Sequence, residues 1–260
     1  MDQTGRLEYL IARLLRESGR CASIPADADE KKRLFRALVN MRMPKAASEE
    51  FLRVQDEYLQ EELRLKGVTD IADIEPVAPD IYLWRGDITA LKCDGIVNAA
   101  NSQMLGCFCP NHGCIDNAIH TFAGVELRLE CARIMKAQGK EEPTGRAKIT
   151  SGYNLPCKYV LHTVGPVVYG ALTERHESEL ADCYRSCLEL ADERGLQSLA
   201  FCCISTGEFK FPNERAAQIA VQTVKEYKRL TNSKIKVVFD VFKECDHAIY
   251  AKLLGANKQA

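Results

Sequence analysis

The stretch "GCFCPNHGCIDNAIH", residues 106 to 120, brings Cys107, Cys109, His112, Cys114 and His120 together in one short segment. Cys107, His112 and Cys114 stand in C-x4-H-x-C spacing, short enough for a single loop to wrap one ion, and mixed thiolate and imidazole donors suit zinc. Three protein ligands rather than four leave one position for water or substrate, which is the catalytic arrangement. Cys109 joining as a fourth ligand, or replacing Cys107, would close the site and make it structural. Two other uses fit the same residues: a redox pair of Cys107 and Cys109, and incidental clustering in a chain with 12 cysteines. Cys202 and Cys203 fall inside an apolar run, and Cys131, Cys183 and Cys187 lie in helical stretches, where cysteine packs as a small hydrophobe. His120 and His162 read as core histidines.

Three further loops carry polar or small residues where a plain connector needs none. In "RGDIT", Asp87 is an acceptor able to take an exocyclic amine of a base; its alternative role is that of an acidic turn residue. In "NAANSQMLG", Asn98 and Asn101 flank two alanines, and two amides that each donate and accept suit the paired hydroxyls of a sugar. Asparagine is also a common turn former. In "ISTGEFKFP", Ser205, Thr206 and Gly207 lie between an apolar run and a helical one, the place where backbone N–H groups cradle phosphate.

These loops need elements to hold them. Residues 1 to about 66 read as helical: Leu7, Leu10, Ile11, Leu14 and Leu15 form one stripe, and Leu34, Phe35, Leu38 and Val39 another. Pro44 closes the second helix, and a third, carrying Phe51, Leu52, Leu59 and Leu63, runs from an N-cap at Ser48 to a stop at Gly67. The acidic, proline-bearing "DIADIEPVAPD" reads as a linker. Beyond it, the apolar runs "IYLWR", "DGIVNAA", "RAKITSG", "KYVLHTV", "SLAFCCIS" and "IKVVFDVF" alternate with helical stretches at 115–137, 173–194, 213–230 and 246–254. Most of these runs are unbroken hydrophobes, as strands covered on both faces must be. The alternation implies a three-layer α/β domain with a parallel or mixed sheet and ligand loops at the carboxyl ends of its strands.

The bulk properties narrow the partners. Lys+Arg 35 against Asp+Glu 36 leaves a formal charge of -1 in 260 residues, so no global field draws the chain to nucleic acid or to an anionic membrane. The opening "MDQTGRLEYLIARLLRESGR" lacks the pattern of a signal peptide, and no apolar stretch has the length to span a bilayer. The expectation is a cytoplasmic protein with reduced thiols.

Taken in order, "GDIT", "VNAAN", "CIDNAIH", "VLHTVGP" and "ISTGEFKFP" resemble the macrodomain family, which binds ADP-ribose, over residues 78 to 254. The resemblance implies a three-layer α/β/α macrodomain with a mixed central sheet at 78–260, preceded by a helical N-terminal extension and linker at 1–77. It further implies an ADP-ribose cleft in which Asp87 and Ile88 meet the adenine and Asn98 and Asn101 lie near the distal ribose. Cys114, Ile115 and Asp116 would hold the diphosphate from one side, and Ser205, Thr206, Gly207, Glu208 and Phe209 from the other. Where macrodomains usually carry an uninterrupted glycine-rich run, this chain has "LGCFCPNHGCID". In this it resembles the zinc-containing microbial subgroup, with Zn2+ on Cys107, His112 and Cys114. For that subgroup the resemblance implies hydrolysis of mono-ADP-ribose from modified proteins, reversing a sirtuin-type transferase. The implied substrate is a lipoyl-carrier protein, with free ADP-ribose as product; Asn98 and Asn101 orient the ribose, and Asp116 acts as base or orienter. The competing reading is a non-catalytic ADP-ribose reader with a structural zinc.

Overall fold

Three helices open the chain: α1 (Gln3–Ser18), α2 (Ala28–Met41) and α3 (Glu49–Lys66). In the computed structural model, which describes residues 1–256, each helix starts at a side-chain cap: Asp2 accepts from Gly5 N, Asp27 from Glu30 N, and Ser48 from Phe51 N. α3 stops at Gly67, whose φ of 88° suits a residue without Cβ. The stripes of α1 and α2 meet Phe51, Val54, Tyr58 and Leu59 of α3 in a small core of their own, joined from the later chain by Val125. Helices this short gain their stability from such packing rather than from propensity.

The segment read as a linker is instead folded onto the rest. β1 (Thr69–Asp70) pairs with β4 (Leu91–Lys92), and β2 (Pro76–Ala78) forms an edge strand, while Ile71, Ile74 and Val77 pack on the large core. Pro76 is tolerated because an edge position does not demand its missing N–H.

The main sheet contains β2, β3 (Ile81–Arg85), β5 (Gly95–Ala100), β6 (Ala147–Ser151), β7 (Tyr159–Val164), β8 (Ser198–Phe201) and β9 (Lys236–Val241). Their order is β2-β3-β9-β8-β5-β7-β6. The five inner strands are parallel, and the edge strands β2 and β6 run antiparallel to their neighbours. Every residue of β8 and all but the first of β7 and β9 are buried, so both faces of the sheet are covered and the architecture is the mixed α/β sandwich expected. The cover comes from α4 (Ile115–Ala123), α5 (Val125–Gln138), α6 (Glu174–Glu193), α7 (Asn213–Thr231) and α8 (Glu244–Leu254). Among the described residues no helix is long and apolar enough to cross a membrane.

Two boundaries differ from the periodicity. The apolar pattern over 115–137 is two helices, broken at Gly124 with φ 101°, where an added Cβ would lie 2.6 Å from Gln55 Nε2. β8 ends at Phe201, so Cys202 and Cys203 leave the strand rather than sit inside it. Cys203 O then accepts from Thr206 Oγ1 at 3.0 Å and anchors the following loop.

Candidate active site

Parallel strands end on a common sheet edge, and the loops after β3, β5, β8 and β9 gather there. Asp87, just past β3, starts a 3-10 turn over Ile88–Ala90; its carboxylate accepts from Thr89 N at 2.9 Å and Thr89 Oγ1 at 2.6 Å. Lys66, the last residue of α3, forms an ion pair with it. Burial alone would raise this carboxyl, but Lys66 and the Thr89 donors outweigh it and hold Asp87 below the usual carboxylate range. Ile88 is 1% exposed and belongs to the core, leaving only its main chain to meet a ligand. Phe242, a residue the sequence reading passed over, follows Val241, whose carbonyl accepts from Gly86 N. Its ring is 77% exposed. The signal available in sequence was an aromatic closing the apolar run at 235–242, where a strand's carboxyl end meets a ligand loop.

Asn98 and Asn101 converge on Asp116. Asn98, fully buried on β5 opposite His162 of β7, donates through Nδ2 to Asp116 Oδ1 at 2.8 Å, with His162 Nδ1 3.1 Å from the same nitrogen. Asn101 Nδ2 donates to Gly106 O at 3.1 Å and to Asp116 Oδ2 at 3.4 Å. Burial lifts Asp116 to about 6 against the lowering effects of the Asn98 hydrogen bond and the Arg128 charge. One turn further along α4, His120 Nε2 lies 3.5 Å from Asp116 Oδ1, and neither ring nitrogen has a hydrogen-bond partner among the described residues. Burial, with His162 and Arg128 adding, keeps His120 well below its ordinary value and therefore neutral. Gly106 makes room for it: a Cβ there would come within 2.7 Å of the His120 ring. His120, read as packing alone, thus borders the carboxylate. His162 is the hydrogen-bonded core residue expected, meeting Thr150 Oγ1 at 2.9 Å through its other nitrogen.

Cys107, His112 and Cys114 are brought together, with one sulfur or ring-nitrogen atom of each within 4.8 Å of the others; Cys109 is exposed and not part of the group. Cys107 Sγ lies 3.5 Å from His112 Nδ1. Tetrahedral zinc with bonds of roughly 2.3 Å to sulfur and 2.0–2.1 Å to nitrogen places such donors about 3.6 Å apart, the separation at which the Cys107 and His112 pair stands. Two thiols with an imidazole are a donor set that suits that ion. The other imidazole nitrogen faces Glu208 Oε1 at 3.3 Å, the kind of carboxylate partner that fixes a ligating histidine's tautomer. Cys114 caps α4, accepting from Asn117 N at 3.4 Å. Burial pushes its thiol up to about 12, the Asn117 amide working against this and Cys107 and Asp116 with it. A cation between the two sulfurs would reverse that balance.

The loop after β8 closes the far side. Ser205 takes a left-handed φ of 64°, Phe211 N donates to Ser205 O at 3.0 Å, and Lys210 N to Gly207 O at 3.0 Å. Gly207 and Glu208 are exposed, whereas Phe209 is half-buried. Gly165, after β7, permits the approach of Ser205: an added Cβ would stand 2.0 Å from Ser205 Oγ. The His112–Glu208 contact brings the loop that precedes α4 next to the loop that follows β8.

This fold and cleft have counterparts. The family model for the Macro domain matches residues 97–220. A Protein-ADP-ribose hydrolase of Treponema medium is 58% identical over 98% of this chain and all of its own length. One from Staphylococcus aureus (strain MRSA252) is 50% identical over 98% of this chain and 97% of its own. Among solved structures, the Trypanosoma brucei macrodomain in complex with ADP-ribose superposes with a TM-score of 0.66 at 33% identity, covering 85% of this chain and 95% of that one. Sharing sequence with such relatives from end to end and folding as the solved macrodomain does, this chain belongs to the macro domain family.

Proposed function

We propose that this chain is a zinc-dependent hydrolase that removes mono-ADP-ribose from modified proteins. The observation that carries this is the position of Asp116: a buried carboxylate held by two amides, in the first turn of the helix that Cys114 caps, beside the thiol and imidazole trio. The names of the Treponema and Staphylococcus relatives support hydrolysis, and the ADP-ribose in the Trypanosoma structure supports the ligand. Along the sheet edge, the adenine amine would donate to Asp87 with Phe242 against the base. The diphosphate would lie between the start of α4 and residues 205–209, where the helix's positive end favours it. That leaves the distal ribose beside Asn98, Asn101 and Asp116.

In this reading Asn98 and Asn101 orient the ribose hydroxyls, and Asp116 takes the proton of the attacking water. Zinc, when bound on Cys107, His112 and Cys114, supplies Lewis acidity next to the scissile linkage. An ester-like bond to an acidic side chain is the favoured target, since it cleaves more readily than a glycosidic bond to nitrogen. By its resemblance the activity reverses a sirtuin-type transferase, with a mono-ADP-ribosylated lipoyl-carrier protein as substrate and ADP-ribose as product.

The test compares metal-loaded wild type with His112→Ala, following ADP-ribose release from a mono-ADP-ribosylated carrier protein. Release by the wild type and its loss in the folded variant are expected. Undiminished release from His112→Ala would make the metal structural, and a wild type that binds ADP-ribose without releasing it from protein would be a reader.

A further inference from the structure

The contact between the N-terminal helices and the α/β unit is polar where it meets the cysteine-histidine loop. Asn40 of α2 and Asn117 of α4 are both fully buried. Burying an amide costs free energy unless its groups are hydrogen-bonded, so the placement of these two is informative. Asn40 Oδ1 accepts from Asn111 N at 3.0 Å, while its Nδ2 donates to Thr121 Oγ1 at 2.9 Å. Asn117 Nδ2 donates to Cys109 O at 3.0 Å. Arg36, one turn before Asn40, donates to Asn117 Oδ1 through Nε at 3.0 Å and Nη2 at 2.8 Å, and to the carbonyl of His112 at 3.0 Å.

The tight turn over residues 109–112 is therefore pinned at three successive points. Cys109 O is held by Asn117, Asn111 N by Asn40, and His112 O by Arg36. His112 N also closes on Cys109 O at 3.3 Å, and Asn111 adopts a left-handed φ of 55°, which asparagine tolerates better than most residues that carry a Cβ. From the other side, Arg128 of α5 donates to Leu105 O and reaches the carbonyls of Val39, Asn40 and Arg42 at the end of α2. Helix α2 and the loop are thus held in one hydrogen-bonded assembly.

We infer that Arg36, with Asn40, is a positioning residue that holds the Cys107–Cys114 loop in ligand geometry from the N-terminal extension. Neither side chain is placed on a bound substrate; they act through the backbone of His112 and its neighbour Asn111. The inference rests on the zinc reading above and adds that the extension is part of the metal site's support. A guanidinium is suited to the task because its fork spans an amide oxygen and a carbonyl at once, which an ammonium does not.

The experiment uses the full chain loaded with zinc, in wild type, Arg36→Met, Arg36→Lys, Asn40→Ala and, as control, Arg33→Met. Arg33 is exposed on the same helix and makes no ion pair among the described residues. Zinc transfer to a chromophoric chelator is timed, and amide exchange at residues 109–113 is followed in the zinc-free proteins. Loss of an outer partner of a ligand costs about 10- to 100-fold in metal affinity. Transfer faster by that order is expected for Arg36→Met, Arg36→Lys and Asn40→Ala, together with faster exchange of the loop amides; Arg33→Met should match the wild type. Folded Arg36 and Asn40 variants that release zinc at the wild-type rate would overturn the inference and leave the zinc reading standing. A wild type that holds no zinc would overturn both.

Discussion

At the scale of single residues, the site depends on a few polar groups denied water. Asp116 is legible from sequence only as an acid at a helix start; its burial beneath Asn98 and Asn101, and the neutral His120 beside it, are products of the fold. Replacing Asp116 with Asn keeps the size and one acceptor oxygen for the shorter Asn98 contact, gives up the longer one to Asn101, and removes the proton acceptor. We expect kcat for ADP-ribose release to fall by about 10²- to 10⁴-fold, the usual share of a general base, with ADP-ribose affinity largely kept, as single-turnover kinetics and calorimetry would read. Gly165→Ala tests the opposite wall. Its Cβ would collide with Ser205 Oγ, so the 205–209 loop must move, and ADP-ribose binding should weaken while thermal stability changes less. Unchanged affinity in calorimetry would show that the loop does not contact the ligand.

Among the elements, the N-terminal helices do more than cover a surface. α5 starts after Gly124 without a side-chain cap of its own, and Val125 N instead donates to Gln55 Oε1 of α3 at 2.9 Å. One helix end is thus satisfied by a residue 70 positions earlier. Gln55→Leu removes that acceptor in a fully buried place and should lower stability by about 1–3 kcal/mol, measured by denaturant unfolding. Helix α3 ends in Lys66, which pairs with Asp87 in the turn after β3. The helices of the extension were readable from their stripes and from Ser48 and Gly67. That they brace both ends of the cleft was not, because side-chain contacts between distant segments leave no periodic trace.

For the molecule as a whole, buried histidines give the fold a pH dependence. Burial holds His162 at about 3, so between that value and the ordinary histidine range the unfolded chain binds a proton that the native one does not. Stability then rises with pH through this window and is lost as pH falls from about 6.5 toward 3. His120, also held low by burial, acts in the same direction, while Asp116, lifted to about 6, acts against it. In His162→Gln the slope of unfolding free energy against pH should be shallower than in wild type; parallel curves would show that His162 carries none of the dependence. What the sequence determined by itself is local: helices from apolar stripes, strands from unbroken hydrophobic runs, the order of the ligand loops, and the tight spacing of Cys107, His112 and Cys114. These follow from periodicity and from short chain separation, which bind neighbours to one another whatever the global fold. Tertiary structure alone decided that the run at 70–80 joins the core, that Gly124 divides a helix, and that Cys109 stays exposed outside the trio. It also decided that Phe242 lies bare beside Asp87's turn and that Arg36 reaches the carbonyl of His112, because burial and hydrogen bonding between segments far apart in sequence are settled only when the layers close.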